Sequence, residues 1–422
     1  MRPGTSAMTL LDDIRAPVST PLSGVRYRDV LRVPYAARLL GGALIGRLPT
    51  GMAPLAILLG TDHGGEDRSS AGLLAAVYLV ANALGGPLSA RLADRHGPRC
   101  TLPVGAALSS VAFLALAAGP GEVGWAVAAV SVAGAARPPL DAALRTLWGA
   151  KGMPSPAHRR VALALDSGTQ ELIYIVGPLL VATITAATSA SWALVATAAV
   201  GTLGTALFVS APVSRTYGVN SRPVRPDWLG PIRSARLRLV YAAMACAGVT
   251  IGALTPLAVD AADRLAAPGL SGGLPAALSS GAVLGGLAYG TRCWPGSTAD
   301  HLIILSAVFA AGWIPLTFAG NPATVLPSAA IPGLAMAPLL GAAFVMTSAL
   351  APPGHTTEAH ALLVAFLDIG CAIGTATAGL THSQLLLPAG AAAAALTLAT
   401  ARRRLTPACP HTLPATTELE AE

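Results

Sequence analysis

Ionisable side chains inside long apolar stretches are the residues of this sequence whose types and spacing could do chemistry. Glu171 and Asp368 are carboxyl groups in such stretches, and Arg47 and Arg137 are cations in others. Burial favours the uncharged form of a carboxyl group, so Glu171 and Asp368 are candidates for binding and releasing a proton. An arginine keeps its charge and pairs with a ligand anion or with a carboxylate. The sequence therefore predicts a site for protons and for a bound ligand.

Each candidate ligand contact also has a structural explanation. Arg47, in "GRLPTG", could bind a substrate anion or a carboxylate across a cavity, or it could form a structural ion pair. Arg137 could face the same cavity, or it could pair within its helix with Asp141, four residues later. Tyr78 and Asn82, one turn apart, could offer hydrogen bonds to a ligand or to neighbouring helices. These four side chains are the candidate substrate contacts.

The two candidate proton carriers differ in their surroundings. No basic residue shares the apolar run of Asp368, so this carboxyl group could keep its proton permanently. Glu171 has arginines in neighbouring segments, and its alternative role is a salt bridge to Arg137 or Arg145. A group that gains and loses a proton needs both burial and an opposing charge. We therefore favour Glu171 as the coupling residue, opposed by Arg137 or Arg47.

The elements that position these residues are predicted to be membrane helices. Of the 422 residues, 53% are hydrophobic and 11% are charged, and the mean hydropathy is +0.62. A soluble domain carries roughly 25% charged residues. Apolar runs of about 20 residues, the length of a bilayer-spanning helix, recur along the chain. They are too long and too uniform for β-barrel strands, so we expect an all-α polytopic membrane protein.

We predict twelve transmembrane helices in two bundles of six. The predicted spans are 39–60, 70–90, 100–119, 123–144, 161–187, 191–211, 239–258, 272–290, 300–319, 324–349, 358–380 and 383–400. A polar segment rich in Arg and Pro follows the sixth span and begins at the midpoint of the chain. The predicted organisation is an N-terminal segment 1–38, a six-helix bundle 39–211, a linker 212–238, a second bundle 239–400 and a tail 401–422.

The distribution of basic residues predicts the orientation in the membrane. With the N-terminus inside, 23 of the 27 Lys and Arg residues fall in cytoplasmic segments, and only Arg68 and Arg264 fall in external loops. The positive-inside rule therefore predicts that both termini and the linker face the cytoplasm, in a plasma membrane protein. The start of the chain has acidic residues and lacks the apolar core of a signal peptide, so we expect the first span to target the chain.

The charged segment "ARLADRHGPR", from Ala90 to Arg99, lies between the second and third spans. It resembles the loop signature of the major facilitator superfamily, Gly-x-Leu-Ala-Asp-Arg-x-Gly-Arg-Arg. Ala90 and Pro98 depart from the signature. The matching residues are Leu92, Ala93, Asp94, Arg95, Gly97 and Arg99. The resemblance implies that residues 39–400 adopt the fold of that superfamily.

Individual residues of this loop also have expected structural roles. Gly97 can adopt a positive φ in a tight reversal, and Arg95 and Arg99 can hold the loop at the anionic inner surface. The resemblance implies that Asp94 helps to latch the two halves on the cytoplasmic side. Arg145, at the inner end of the fourth span, is our candidate partner for Asp94.

Three further features resemble parts of the superfamily. Gly177 and Pro178 resemble the core of the antiporter motif in the fifth helix of drug exporters, although the flanking glycines are absent. Arg137 resembles the fourth-helix arginine that is linked to proton transfer. A faint second copy of the loop signature, without its Asp, ends at Gly296. These resemblances imply a relation to drug and metabolite exporters.

The predicted function is secondary transport of a small molecule by alternating access. Proton-coupled efflux is the favoured form, and proton-coupled uptake is the alternative. A non-transporting membrane scaffold or sensor is the competing class, but it would not need intramembrane charges. The expected partners are a small-molecule substrate, protons and the lipid bilayer. We expect a monomer and no nucleic-acid partner.

Motifs for other classes of protein are missing from the sequence. It contains no HExxH segment and no phosphate-binding GxxxxGK[ST] loop, so neither an enzyme nor an ATP-driven pump is expected. The five cysteines form no CxxC pair. We therefore expect no disulfide framework, no metal site and no cofactor.

Overall fold

The computed structural model of the chain describes residues 27–61, 68–119, 122–149, 154–212, 230–290, 294–352 and 356–405. Within these ranges every regular element is a helix. The first half contains α1 Tyr27–Leu31, α2 Ala36–Thr61, α3 Arg68–His96, α4 Pro98–Ala118, α5 Val123–Ala135, α6 Leu140–Gly149, α7 Pro156–Ala187 and α8 Ala190–Val209. The second half contains α9 Gly230–Arg233, α10 Ala235–Arg264, α11 Leu270–Gly290, α12 Thr298–Gly312, α13 Ile314–Thr317, α14 Pro322–Leu350, α15 Thr356–Thr381 and α16 Leu386–Leu405.

The helices follow the order of the predicted membrane spans. Among the described residues, ten helical stretches are long and apolar enough to cross a membrane. They are α2, α3, α4, α7, α8, α10, α11, α12 together with α13, α14 and α15. The other two predicted spans correspond to the α5–α6 pair and to α16, whose apolar part, Leu386–Thr400, is shorter.

The fourth predicted span is interrupted, which corrects the expectation of one continuous helix over 123–144. Helix α5 ends at Ala135 and α6 begins at Leu140. Pro138 and Pro139 lie in the gap; they have no N–H to donate, and proline disfavours helical backbone at the residue before it. The ninth predicted span is interrupted in a similar way at Trp313, just before Pro315.

The two halves pack by the same pattern of helix contacts. In the first half α2 packs on α8, α3 on α5 and α4 on α8. In the second half α10 packs on α16, α11 on α14 and α12 on α16. The boundaries of the linker that joins the halves stay a prediction, because 213–229 lie outside the described residues.

The halves meet through α3 on α15 and through α7 on α11. Both contacts depend on glycine. A Cβ atom on Gly72 of α3 would lie 3.0 Å from the Cα of Gly379 of α15, and a Cβ on Gly272 of α11 would lie 2.5 Å from the carbonyl oxygen of Pro178 of α7. Small residues let helix backbones approach closely where no hydrophobic force drives association. These contacts lie at the end of the bundle where α2 ends and α3 begins.

Two tight turns occupy equivalent places in the two halves. Gly97 (φ 83°) precedes α4, and Gly296 (φ 114°) lies two residues before α12. They are the glycines with positive φ in the described part of the chain. This backbone conformation is the one expected for Gly97 from the loop signature, and it supports Gly296 as the end of a second copy.

Candidate functional site

A buried carboxylate shared by two arginines joins three helices of the first half. Asp166 of α7 is fully buried. Its Oδ1 accepts a hydrogen bond of 2.8 Å from Nη1 of Arg47, and its Oδ2 accepts one of 2.8 Å from Nε of Arg145. Arg145 also donates a long hydrogen bond of 3.4 Å to Gln170. The arrangement joins α2, α6 and α7 through one carboxylate.

The depth of the two residues explains why Arg47 meets Asp166. Arg47 lies eleven residues after the start of α2, and Asp166 lies ten residues after the start of α7. These are the first and fifth spans, which run in the same direction. At about 1.5 Å per residue, both side chains lie ~15–17 Å along their helices. A charge at such a depth is costly unless it is paired, and the Arg47 side chain reaches Asp166 across the contact of α2 with α7.

Close packing of α2 on α7 brings the pair together. A Cβ atom on Gly177 would lie 2.8 Å from the carbonyl carbon of Gly51, and 3.0 Å from the backbone nitrogen of Met52. Gly177 is the residue that resembled the antiporter motif of drug exporters. In the structure its lack of a side chain lets the backbones of α2 and α7 touch about one turn after Arg47 on α2 and about three turns after Asp166 on α7.

Arg137 stands in the break between α5 and α6. Its Nη1 donates a hydrogen bond of 2.6 Å to Oγ1 of Thr50, one turn after Arg47 on α2. Its Nε is buried and has no hydrogen-bond partner among the described residues. Asp141 interacts with Arg137 electrostatically, but the two side chains form no contact ion pair in the described part of the chain. Arg137 therefore lies in the break of the fourth span with its side chain directed toward α2.

The two halves are joined at the centre by a hydrogen bond. Nδ2 of Asn82 in α3 donates to Oδ2 of Asp368 in α15 over 3.3 Å, and the Oδ1 of Asn82 is buried without a partner among the described residues. Arg137 acts on Asp368 electrostatically from the first half. The sequence predicted Asn82, Arg137 and Asp368 separately, and the tertiary structure brings them into one region.

Glu171 has surroundings different from those expected. Its Oε2 is buried and has no hydrogen-bond partner in the described part of the chain. Neither Arg47 nor Arg145 binds it, because both donate to Asp166, one to two turns earlier on α7. The salt bridge to Arg137 or Arg145 that the sequence left open for Glu171 is absent among these residues.

Tyr78 lines the first half close to Asn82. It is 2% exposed, and its ring centroid lies 6.0 Å from that of Phe113 of α4. Close contact with α5 positions this stretch of α3, since a Cβ atom on Gly134 would lie 3.0 Å from the backbone nitrogen of Asn82.

The loop signature is described only in part. Leu92 is partly exposed, and its carbonyl oxygen contacts Nδ1 of His96. Arg99 is exposed. The side chains of Asp94 and Arg95 lie outside the described residues. Arg145 donates to Asp166, so its predicted pairing with Asp94 stays a prediction.

Asp166 was not identified as a site residue from the sequence. Two signals could have identified it. It is a carboxylate inside a long helix with an apolar span, and Gln170 follows it by one helical turn. Thr50 carried no such signal, because a hydroxyl group within a membrane helix ordinarily bonds to its own backbone.

The part of the chain that the structure describes contains no candidate metal-binding site. No group of three or more His, Cys, Asp or Glu side chains is arranged there to hold a metal ion. The site is an array of fixed cations, carboxyl groups and amides, which can bind ions and protons.

Comparison with known proteins agrees with the arrangement of helices. Residues 39–375 match the family described as Major Facilitator Superfamily. No curated protein sequence matches the chain. Among solved structures, a peptide transporter POT in complex with sulfate is similar, with a TM-score of 0.66 and 17% identity over 90% of this chain and 99% of that one.

Two further structures are similar at lower identity. The nucleoside transporter NupG gives a TM-score of 0.64 at 13% identity, covering 87% of this chain and 98% of its own. A POT family transporter in complex with 5-aminolevulinic acid gives 0.65 at 12% identity, covering 88% and 96%. Similarity at this level of identity establishes the fold.

The chain therefore belongs to the major facilitator superfamily. It is an all-helical, multi-pass integral membrane protein with the fold of that superfamily. Its class is secondary transport of a small molecule, which distinguishes it from the enzymes.

Proposed function

We propose that this protein couples transport of its substrate to protons, and that Asp368 is the principal coupling residue. The observation that carries the proposal is the hydrogen bond between Asn82 and Asp368, which joins the two halves within the membrane. Alternating access moves one half against the other around a central site. A carboxyl group on that boundary changes its surroundings whenever the halves move, and its affinity for a proton changes with them.

The surroundings of the two carboxyl groups favour Asp368 over Glu171. A proton carrier needs burial, which favours the protonated form, and a cation, which favours the ionised form. Asp368 has both, since Arg137 acts on it from the other half. Glu171 is partly buried, and of the arginines expected near it Arg47 and Arg145 bind Asp166 while Arg137 donates to Thr50. We retain Glu171 as a second, weaker proton site.

Export is the proposed direction, on the resemblance of Gly177 and Pro178 to the motif of drug exporters. Uptake with protons is the second candidate, and Arg137 favours it. If Arg137 binds the substrate, protonation of Asp368 removes a competitor for that guanidinium group. Proton and substrate would then bind together, as a symporter requires.

The proposed membrane placement is the plasma membrane, with both termini in the cytoplasm and the chain acting as a monomer. The support is the asymmetry of Lys and Arg, most of which fall in the predicted cytoplasmic segments. Each half supplies side chains to one central site, so a single chain contains all the parts that the mechanism uses.

Proton movement in proteoliposomes tests coupling and direction together. The purified full-length protein is reconstituted with a pH-sensitive dye inside, and peptides, nucleosides and drug-like compounds are added outside one at a time. A symporter acidifies the interior as the compound enters, whereas an antiporter makes it more alkaline. Compound flux without any proton movement would contradict the coupling proposal.

Substitutions at the two carboxyl groups test which of them couples transport to protons. Asp368→Asn is expected to abolish proton movement while preserving downhill exchange of the compound, and Glu171→Gln is expected to have a smaller effect. Glu122→Gln is the matched control, because Glu122 is exposed before α5 and its side chain caps nothing. Normal proton movement in Asp368→Asn would assign coupling to another group.

A further inference from the structure

Within the described residues, the three arginines Arg47, Arg137 and Arg145 form contact ion pairs with only one carboxylate. There Asp166 is the carboxylate that contacts Arg47 and Arg145, and Arg137 contacts Thr50 instead. Asp141 interacts with all three electrostatically but forms no contact pair with them there. The guanidinium groups therefore retain hydrogen-bond donors that the described protein does not use.

Arg137 reaches the stretch of α2 that carries Arg47. Arg47 donates from Nη1 to Asp166, and it is 6% exposed. Arg137 donates from Nη1 to Thr50, which follows Arg47 by one turn of α2, and its Nε is buried without a partner in the described part of the chain. An unsatisfied buried donor on a charged group costs free energy, so a ligand that accepts from it is stabilised.

We propose that the transported substrate carries an anionic group, a carboxylate or a phosphate, and that Arg47 and Arg137 bind it. The inference rests on the proposed central transport site between the halves. Planar guanidinium groups bind carboxylate and phosphate oxygens by paired hydrogen bonds, and Arg137 contacts α2 at Thr50, one turn from Arg47. Asp166 is then a positioning residue that fixes Arg47 and Arg145.

An anion suits Arg137 better than a neutral compound does. Nε of Arg137 is a buried donor on a charged group without a partner among the described residues, and a neutral amide or hydroxyl compound would accept its hydrogen bond without adding negative charge. An anion accepts the hydrogen bond and adds to the negative charge that Asp141 and Asp368 supply to Arg137 electrostatically. Oε2 of Glu171 is also unpartnered among the described residues, but it belongs to the proposed second proton site, where a proton satisfies it.

The test compares anions with uncharged compounds of the same shape. Thermal unfolding of the purified full-length protein is measured with benzoate and benzamide, succinate and succinamide, and phenyl phosphate and phenol. At least one anion is expected to raise the unfolding midpoint, and its neutral counterpart is not. The carboxylate and phosphate pairs show which of the two anions the site accepts.

Two arginine variants and one control complete the experiment. Arg137→Gln is decisive, because it breaks no contact ion pair among the described residues, and it should weaken anion affinity on the order of tenfold to a hundredfold. Arg47→Gln should weaken it similarly. Arg402→Gln removes an exposed arginine at the end of α16 and should leave the affinity unchanged.

Three results would overturn the assignment. They are stabilisation by neutral compounds without stabilisation by anions, an anion effect that is equal in Arg137→Gln and in the unmodified protein, and the absence of any anion effect. None of these would contradict proton-coupled transport, because proton movement driven by a neutral or cationic compound is measured separately.

Discussion

At the scale of single residues, Asp166 is the carboxylate that neutralises Arg47 and Arg145 in the first half. It accepts hydrogen bonds from arginines on two other helices while being fully buried itself. Burying a charge is tolerated only with such partners, and removing one partner leaves the others uncompensated. The arrangement therefore stabilises the half and fixes the direction of Arg47.

Replacing Asp166 by Asn should destabilise the protein strongly. The substitution leaves Arg47 and Arg145 without their shared carboxylate, and breaking a buried pair costs about 3–5 kcal/mol. Denaturant or thermal unfolding in detergent measures the loss. Asp300→Asn is the control, because the pair of Asp300 with Arg402 is exposed and should contribute about 0–1 kcal/mol. Equal losses in the two variants would contradict the structural role of Asp166.

The two arginines should differ in their contribution to stability. The side chain of Arg145 is 42% exposed and that of Arg47 is 7% exposed. Arg145→Gln should therefore cost about 1 kcal/mol or less. Arg47→Gln should cost about 3 kcal/mol or more, because it removes the buried partner. The same unfolding measurement checks the order, and a larger loss in Arg145→Gln would reverse the assignment.

At the scale of elements, glycines set how closely the helices approach. Gly177 lets the backbones of α2 and α7 touch, and Gly134 does the same for α3 and α5. The proline break between α5 and α6 then aims Arg137 at Thr50. Site residues that lie far apart in sequence meet because small residues and prolines shape the helices that carry them.

A large side chain at Gly177 should push α2 and α7 apart. Gly177→Leu cannot fit against Gly51 and Met52 without a shift of backbone, so we expect less folded protein and loss of transport. Gly341→Leu is the matched control, since no atom lies within 4 Å of a Cβ atom at this exposed position of α14. Size-exclusion profiles and proton movement are the measurements. Normal behaviour of Gly177→Leu would show that the contact is dispensable.

At the scale of the whole molecule, the halves touch at one end of the bundle and are linked at the centre. Gly72 meets Gly379 near one end, and Asn82 meets Asp368 within the membrane. Transport by alternating access requires the end contact to separate in part of the cycle. The repeated pattern of helix packing lets each half move as a unit.

A disulfide across the end contact should stop the cycle. The pair Gly72→Cys and Gly379→Cys, in a background lacking the five native cysteines, places two thiols at this contact, where each added Cβ would lie 3.0 Å from the Cα of the opposite residue and the helices must separate slightly to hold the bond. Oxidation is expected to abolish substrate-driven proton movement, and reduction is expected to restore it. Each single-cysteine variant, oxidised in the same way, controls for effects of the oxidant. Full activity of the oxidised double variant would exclude separation at this contact.

The sequence by itself determined the class of the molecule. Apolar runs of helical length predicted the membrane helices, and the segment from Leu92 to Arg99 indicated the superfamily. Both are properties of contiguous residues, so they can be recognised without a fold. The sequence also contained the cause of the interruption in the fourth span, the adjacent Pro138 and Pro139, although we predicted a continuous helix there.

Only the tertiary structure decided which charges meet. Arg47 and Asp166 are 119 positions apart, and Asn82 and Asp368 are 286 apart. Their pairing depends on how each helix is rotated and how closely it packs, which composition and spacing do not specify. For this reason the sequence identified Arg47, Arg137, Glu171 and Asp368 as candidates but placed the arginines beside Glu171. The packing of α2 and α6 on α7 placed Arg47 and Arg145 beside Asp166 instead.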